Sequence, residues 1–397
     1  MRVLVSWDAN NIWKKTDGSY WSNSIHSYSF VERYLQTYEE VALVTRVFSK
    51  SIENEETMMR VDGPGVCIRE LPMLRGAKGY ILGYWSLKKS IKKAVKNVDC
   101  AIFRIPSVIG YMLLDEFKKT GKPYAVEVVV DPFDAYKDNK IVQKIFTRKL
   151  KKAVLAANGA SYVTKQTLQN RYPSAARLYG EESGHFESHY SSIDLKEEFF
   201  SEPRVYENKN TYKIIHTANA IHHNGKGHLE LIDALYIVRK RGYDVSVTFI
   251  GDGSKRKQFE EYAISRGLKD YVNFTGLLTG SAAIREVLLS GDMFVLPTKY
   301  EGLPRSVIEA MAVGLPCIAS PVGGTCELLD DSYLVNSEDV EGLANKIIWL
   351  IEHPNEMTEA SERNIEKARE YRQDILSVRR KEFYQKLKEC ATLSENN

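Results

Sequence analysis

The chain has 397 residues, 43% of them apolar, and its 55 basic and 52 acidic side chains leave a formal net charge of +3. This length indicates two or three domains, and a charge so close to neutral does not favour nucleic acid as a partner. No run reaches the roughly 20 apolar residues that a membrane-spanning helix needs, and the first strand-like run begins without the apolar core of a signal peptide. The five cysteines are scattered without metal-ligand spacing, so we expect reduced thiols in a cytoplasmic protein.

Short β-branched runs alternate with longer helical patterns along the whole chain. Strands separated by helices indicate βαβ units and parallel sheets. Helical periodicity is clearest over residues 227–241 and 305–313. The predicted strands cover residues 3–6, 41–47, 101–105, 124–130, 159–164, 213–218, 245–251, 272–275, 293–297 and 315–320.

A polar stretch at residues 201–210, SEPRVYENKN, separates the two series of strands. A new strand begins directly after it, so we predict a domain boundary near residue 208. The predicted fold class is α/β, with two Rossmann-like domains of parallel strands at residues 1–208 and 209–375. We expect residues 376–397 to form a closing helical segment that packs back on the first domain.

Two carboxylates, Glu301 and Glu309, lie eight positions apart in a strand–loop–helix–strand segment at residues 292–320. Ligands bind at the carboxyl ends of strands in open parallel sheets, and a helix N-terminus there attracts phosphate. Pro304 suits the first helical turn, which places Glu301 in the loop and Glu309 one turn into the helix. Carboxylates accept hydrogen bonds from sugar or ribose hydroxyls. The alternative is that both are solvated carboxylates at a helix end.

Three further turns follow predicted strands. The first holds Lys226 between two glycines, and a lysine at a strand-to-helix turn suits a diphosphate. The other two would line a nucleotide pocket. Taken singly, an ordinary surface turn explains each of them. Besides Lys226, the residues concerned are Gly225, Gly251, Asp252, Gly253, Thr275, Gly276 and Leu277.

These motifs occur in a fixed order: GKG, FIGDG, VNFTG and then LPTKYEGLPRSVIEAMAVGLPCIASPVGG. The ordered set, over about residues 213–350, resembles the retaining nucleotide-sugar glycosyltransferases of family 4, in which two glutamates form an E-x7-E signature. The resemblance implies the GT-B fold, with the acceptor bound by the N-terminal domain and the donor by the C-terminal one.

The resemblance also implies roles for single residues. Glu309 would bind the nucleotide ribose, Glu301 the hydroxyls of the donor sugar, and Lys226 the diphosphate. The lysine and the helix dipole would stabilise the departing nucleoside diphosphate, so we expect no metal ion and no cofactor. The backbone N–H groups near the sugar and the β-phosphate would come from the run Gly302, Leu303, Pro304 and Arg305.

The sequence departs from the family at two places. The family carries an arginine a few residues before the lysine, and none stands at residues 219–222 here. Diphosphate binding would therefore lean on Lys226, Asn219 or a residue of the first domain. Asp131 stands near the position of a family histidine, where it would contact the donor sugar or orient the acceptor, although an Asp-Pro turn explains it as well. The glycine-rich donor loop of the first domain would correspond to Asp17, Gly18 and Ser19.

A basic and aromatic segment at residues 71–98 contains no acidic residue. Basic residues beside aromatic ones suit an anionic membrane surface. The hypothesis is therefore a protein that docks at the inner face of the membrane to reach a lipid-linked acceptor. The alternative is a solvated helix face with ordinary core aromatics. The lysines concerned are Lys88, Lys89, Lys92, Lys93 and Lys96.

The leading interpretation is a retaining glycosyltransferase that moves a sugar from a nucleotide donor to a saccharide or lipid-linked acceptor, in cell-surface polysaccharide or glycolipid synthesis. A nucleotide-sugar epimerase of the same architecture and a non-catalytic sugar-binding protein are the alternatives. An epimerase would act on the donor without any acceptor. A Rossmann oxidoreductase is disfavoured because no GxGxxG motif follows a strand and opens a helix.

Overall fold

The computed structural model describes residues 1–8, 12–22, 27–48, 58–74 and 76–395. Its first half is built on a seven-stranded parallel sheet in the order β10-β9-β8-β7-β1-β4-β6, with a small antiparallel sheet, β2-β3-β5, beside it. The strands of this half are β1 (Arg2–Ser6), β2 (Ile12–Lys14), β3 (Tyr20–Ser22), β4 (Glu40–Val47), β5 (Met59–Arg60), β6 (Val66–Pro72), β7 (Cys100–Ile105), β8 (Tyr124–Val128), β9 (Gly159–Tyr162) and β10 (Phe186–His189).

Helices cover both faces of this sheet, which explains why its central strands are apolar throughout. The helices of the first half are α1 (Tyr28–Leu35), α2 (Gly76–Ala94), α3 (Val108–Phe117), α4 (Pro132–Ala135), α5 (Lys140–Ala156), α6 (Thr167–Arg171) and α7 (Ala175–Tyr179). Buried residues of α2, α3 and α5 form one core with one face of the sheet, and α1 packs on the other face.

The second half has a five-stranded parallel sheet in the order β13-β12-β11-β14-β15. Its strands are β11 (Thr211–Ala220), β12 (Asp244–Asp252), β13 (Val272–Gly276), β14 (Met293–Leu296) and β15 (Cys317–Ala319). The helices that follow in the chain are α8 (His228–Lys240), α9 (Arg256–Ser265), α10 (Ser281–Leu289), α11 (Arg305–Ala312), α12 (Val340–Glu352), α13 (Pro354–Arg369) and α14 (Gln373–Glu395).

All ten predicted strands are present, with ends that differ by a few residues. The sequence interpretation omitted β6 and β10, and both lie at the edges of the first sheet. Their sequences, VCIRELP and FESH, carry charged residues because edge strands are only partly buried. The short hairpin strands were also omitted.

The last helix returns to the first half of the molecule. The Tyr38 hydroxyl donates a hydrogen bond to the carbonyl of Tyr384 at 3.0 Å, and the Tyr384 hydroxyl donates to Glu127 at 2.9 Å. The polar stretch at residues 201–210 is held against the second half, where Arg204 Nε donates to the Val313 carbonyl at 2.8 Å. No helix among the described residues is both long and apolar enough to cross a bilayer.

Candidate active site

The strand order of the second sheet identifies where a ligand would bind. The chain runs outwards from β11 through β12 and β13, and then returns to the other side of β11 to form β14 and β15. Ligands bind in the crevice at the carboxyl ends of strands where the order reverses in this way. The turn with Lys226 follows β11, and the loop with Glu301 follows β14. Both therefore lie at the switch point, which is the position between β11 and β14 where the strand order reverses.

The two loops are packed tightly together. The Lys299 N–H donates to the Gly225 carbonyl at 2.8 Å, and the Thr298 hydroxyl donates to the same oxygen at 3.1 Å. Gly227 has a φ of +75°, and a Cβ atom added there would lie 2.1 Å from the Pro297 carbonyl oxygen. Only glycine fits both the backbone conformation and the close approach, so the GKG spacing has a structural cause.

Lys226 and Glu301 form an ion pair at the centre of this site. Their side chains are 26% and 13% exposed, so the pair is partly shielded from water. The Lys226 Nζ atom also lies 6.0 Å from the ring centre of Tyr300. The sequence assigned the two residues to different parts of one donor, and the structure brings them into direct contact.

Glu309 lies on α11, one helical turn after Arg305. Burial raises the pKa of the Glu309 carboxyl to about 7, against a smaller opposing effect from the Arg305 charge. Burial also lowers the pKa of the Arg305 guanidinium, and the Glu309 charge offsets part of this decrease. The carboxyl group is therefore divided between its two protonation states near neutral pH.

The turns after β12 and β13 lie beside this crevice. A Cβ atom added to Gly251 would lie 1.9 Å from the Ala218 carbonyl oxygen, and one added to Gly253 would lie 2.4 Å from that of Ile221. Both glycines therefore allow the turn to pack against the end of β11. Asn219 and Asp252 are exposed there, Thr275 and Leu277 are half-buried, and Gly276 is buried with a φ of +79°.

Arg256 is a cation at this edge that the sequence interpretation did not single out. Its guanidinium donates to the Phe274 carbonyl at 3.2 Å and lies 3.5 Å from an oxygen of Asp252. The signal was present, because Arg256 begins the helix directly after the glycine-containing turn. Arg256 is therefore a candidate for the diphosphate-binding role that an arginine shortly before the lysine has in the family that the sequence resembles.

The loop Gly302-Leu303-Pro304 is buried against the first half. A Cβ atom added to Gly302 would lie 2.1 Å from the Val129 carbonyl oxygen, just after β8. Glu327 joins the halves nearby, accepting hydrogen bonds from the N–H groups of Lys165 at 2.6 Å and Gln166 at 3.0 Å. The carboxyl ends of the first sheet therefore face the candidate donor site.

Asp131 is fully buried, and both of its carboxylate oxygens already have partners. One accepts from the Phe133 N–H at 2.8 Å, as the cap of α4, and from the Tyr172 hydroxyl at 2.6 Å. The other is paired with Arg171. The structure thus gives Asp131 a capping and ion-pairing role.

Asp17, Gly18 and Ser19 form the turn of the β2–β3 hairpin. Asp17 accepts hydrogen bonds from the N–H of Ser19 at 2.9 Å and from its hydroxyl at 2.6 Å. Gly18 has a φ of +86° and open space around it. Within the described residues, these contacts are those of a local turn and do not join it to the Lys226–Glu301 pair.

Two buried histidines, His216 and His228, pack against the Lys226 turn, and the sequence interpretation did not single them out. The His216 Nε2–H group donates a 2.7 Å hydrogen bond to the Lys226 carbonyl, and its ring lies 4.5 Å from that of His228. Burial lowers the pKa of His216 to about 4 and that of His228 to about 2. Both rings are therefore neutral and act as packing under the lysine turn.

Among the described residues, no group of three or more His, Cys, Asp or Glu side chains is arranged to hold a metal ion.

Comparison with known proteins identifies the fold and the class of enzyme. Residues 198–371 match the family model of glycosyl transferases group 1. The structure superposes on Anabaena HepE, solved with UDP and glucose, with a TM-score of 0.62 and 16% identity over the whole of both chains. The chain is a glycosyltransferase with the GT-B fold.

This glycosyltransferase has a relative that matches it over most of its length and a sugar transferase that matches a shorter segment. It is 28% identical to the protein CapJ of Staphylococcus aureus over 81% of this chain and 80% of CapJ. It is 30% identical to the UDP-Gal:alpha-D-GlcNAc-diphosphoundecaprenol alpha-1,3-galactosyltransferase of Escherichia coli, over 29% of this chain and 30% of that one.

Proposed function

We propose that this glycosyltransferase takes its sugar from a nucleoside diphosphate donor and retains the anomeric configuration, as a member of family 4. The single observation that carries the proposal is the Lys226–Glu301 pair at the switch point of the second sheet. A diphosphate would compete with Glu301 for the lysine, and the released carboxylate would accept hydrogen bonds from the sugar hydroxyls. Glu309 would accept from the ribose.

The chemistry follows from the charges at the site. As the bond between sugar and diphosphate breaks, negative charge grows on the leaving phosphate. Lys226 and the N-terminus of α11 are fixed in position to stabilise that charge. We propose a front-face reaction in which the leaving phosphate helps to deprotonate the acceptor, without a metal ion. Transfer should then persist in EDTA.

A thermal-shift screen over UDP, GDP and their sugar conjugates tests the donor assignment. A ligand that binds only the folded protein increases its free energy of unfolding by about 2.7 kcal/mol at a hundredfold excess over Kd. The melting temperature rises as a result. We expect one base to stabilise the protein, and Lys226→Ala and Glu309→Ala to lose that response. Transfer near the wild-type rate by both variants would refute the assignment, and conversion of donor alone to an epimer would favour the epimerase.

We further propose that the acceptor is lipid-linked and that the first half meets an anionic membrane. On α2, Ile81, Leu82 and Trp85 are 75%, 75% and 74% exposed, and on α5 Ile141 is 74% exposed. These residues, with Ile145, are called the apolar edge below. Lys88 lies 5.4 Å from the ring centre of Trp85, so basic and apolar groups adjoin.

The apolar edge is well placed to deliver a lipid-linked acceptor. In βαβ units the helices run antiparallel to the strands, so the N-terminal ends of α2 and α5 lie near the carboxyl ends of the first sheet. Those strand ends face the candidate donor site. The Escherichia coli enzyme, which is named for a diphosphoundecaprenol acceptor, supports a lipid-linked acceptor and with it a role in cell-surface polysaccharide or glycolipid synthesis. The five cysteines are free, as expected for work at the inner face of the membrane.

Flotation with vesicles tests the membrane contact. We expect binding to vesicles with anionic lipid, weakened by salt, because each lysine near such a surface contributes about 1 kcal/mol. Trp85→Ser and the double variant Lys88→Gln/Lys92→Gln should each reduce it. Lys257→Gln is the control, since that lysine is 87% exposed on the second half. Equal flotation of all variants, or none of the wild type, would contradict the proposal.

A further inference from the structure

A small cavity in the first half is lined by three arginines and one glutamate. Arg104 lies at the carboxyl end of β7 and Glu127 at that of β8, while Arg33 comes from α1 and Arg380 from α14. The cavity thus lies between the sheet and these two helices, at the edge of the sheet that faces the donor site. The charge of the lining is unbalanced towards positive.

Glu127 neutralises one of these arginines and is then fully used. Its carboxylate is paired with Arg104. It also accepts hydrogen bonds from the hydroxyls of Tyr384 at 2.9 Å, Tyr190 at 3.0 Å and Tyr34 at 3.2 Å. Four donors fill the hydrogen-bonding capacity of the two carboxylate oxygens. Glu127 therefore cannot also serve as the counter-ion of Arg33 and Arg380.

Arg33 and Arg380 have no carboxylate partner within the described part of the chain. Arg380 is 7% exposed, donates one 3.3 Å hydrogen bond to the Ser191 carbonyl and lies over the ring of Tyr190. Arg33 lies 4.0 Å from the ring centre of Phe30, and its buried Nε has no hydrogen-bond partner. Burial and the nearby Arg380 charge lower the pKa of Arg33 to about 10, which leaves it charged at neutral pH.

A buried cation, Arg380, and a partly buried one, Arg33, are costly to the folded state when they have no counter-ion, and such a cost persists where it serves binding. The cavity lies close to the cleft between the halves, because Val129, which lines it, packs against Gly302 of the donor-site loop. A ligand in that cleft could place a negative group between Arg33 and Arg380. The cavity has room for about one water molecule, so a single oxygen of a carboxylate or phosphate group could enter it and a whole sugar could not.

We propose that Arg33 and Arg380, beside the Arg104–Glu127 pair, bind an anionic oxygen group of the substrate held by the first half, so that this glycosyltransferase acts on an acidic substrate. The proposal rests on the proposed function, in which the first half binds the acceptor. The group is either the carboxylate of an acidic sugar or a phosphate of a phosphorylated acceptor. Both present the planar or tetrahedral oxygens that guanidinium groups bind with two parallel hydrogen bonds.

Melting temperatures of the full chain test this directly. UDP at saturation first occupies the diphosphate site, and glucuronate, inorganic phosphate or glucose is then added at constant ionic strength. We expect one or both anions, and not glucose, to raise the melting temperature of the wild type. Arg33→Met retains the contact with Phe30 and should lose this response. Arg380→Gln serves as a second variant should the first not fold, and Arg241→Met on the surface of the second half is the control.

The two anions distinguish the sources. A response to glucuronate alone indicates an acidic sugar, and a response to phosphate indicates a phosphorylated acceptor. No response to either anion in the wild type, or an equal response in Arg33→Met, overturns the proposal. The response to UDP alone is read separately, so a failure of nucleotide binding counts against the proposed function and not against this site.

Discussion

Lys226 and Glu301, 75 positions apart in the sequence, are ion-paired across the switch point of the second sheet. The pair joins the group expected to hold the diphosphate to the group expected to hold the sugar. Each side chain is therefore kept in place by the other before the donor arrives. Binding would exchange one ionic contact for contacts with two parts of a single ligand.

The first prediction concerns this pair. Lys226→Met should lower kcat/KM on the order of 10²-fold or more, because it removes a fixed charge from the leaving group. Glu301→Gln should retain nucleotide affinity and lose transfer, because the amide still contacts Lys226 but binds the sugar hydroxyls less well. Steady-state kinetics and nucleotide calorimetry separate the two effects.

A neighbouring ion pair gives a matched control. Lys299 and Glu230 are 2.8 Å apart, and their side chains are 28% and 14% exposed, nearly as in the Lys226 pair. Lys299→Met should cost a similar amount of stability and leave kcat/KM within a few-fold of the wild type. A loss of transfer as large as that of Lys226→Met would mean that the effect comes from the loop and not from the lysine.

The second prediction concerns Glu309 and pH. The folded-state pKa of this carboxyl is about 7, above its usual value of 4.5, so the folded protein holds a proton that the unfolded chain releases. Stability from this group is therefore lost as pH rises from about 4.5 to 7. Glu309→Gln should be more stable than the wild type at pH 8 by on the order of 3 kcal/mol, and within about 1 kcal/mol of it at pH 5. Urea denaturation at both pH values measures this.

Nucleotide affinity should increase as pH rises, whereas the stability contributed by Glu309 decreases. The ionised carboxylate is the better acceptor for ribose hydroxyls, so wild-type affinity should increase between pH 6 and pH 8. The nucleotide itself also titrates, and this changes the affinity of both proteins with pH. Glu309→Gln lacks the carboxylate, so its pH profile measures the contribution of the nucleotide alone. Parallel pH profiles for the two proteins would exclude Glu309 from the binding site.

The third prediction concerns the contact between the halves. Gly302→Ala would place a Cβ atom 2.1 Å from the Val129 carbonyl oxygen, so the loop or the first half must move. We expect loss of transfer and a larger radius of gyration by small-angle scattering, with each half still folded. Gly79→Ala is the control, since its nearest neighbour is 3.9 Å away. An unchanged radius with full activity would show that the contact is not required.

The sequence predicted much of the second half and less of the first for a physical reason. Glycines at 227, 251 and 253 are forced by close backbone approach, and such constraints are visible as motifs. The Arg33–Arg104–Arg380 cavity has no such signal. Its members come from a helix, a strand and the last helix, and only the tertiary fold brings them together. The sequence left Asp131 open between a ligand contact and an Asp-Pro turn, and only the structure shows the helix cap and the ion pair that it makes.

The last prediction separates those two roles of Asp131. Asp131→Asn loses the ion pair with Arg171 and weakens the hydrogen bond from the Tyr172 hydroxyl, while an amide oxygen can still cap α4. Because Arg171 remains 39% exposed and can be solvated, we expect a loss of roughly 1–3 kcal/mol in unfolding free energy. The kcat/KM of the folded fraction should stay within a few-fold of the wild type. A large fall in kcat/KM with unchanged stability would instead indicate that this carboxylate contacts the sugar, as its place in the sequence suggested.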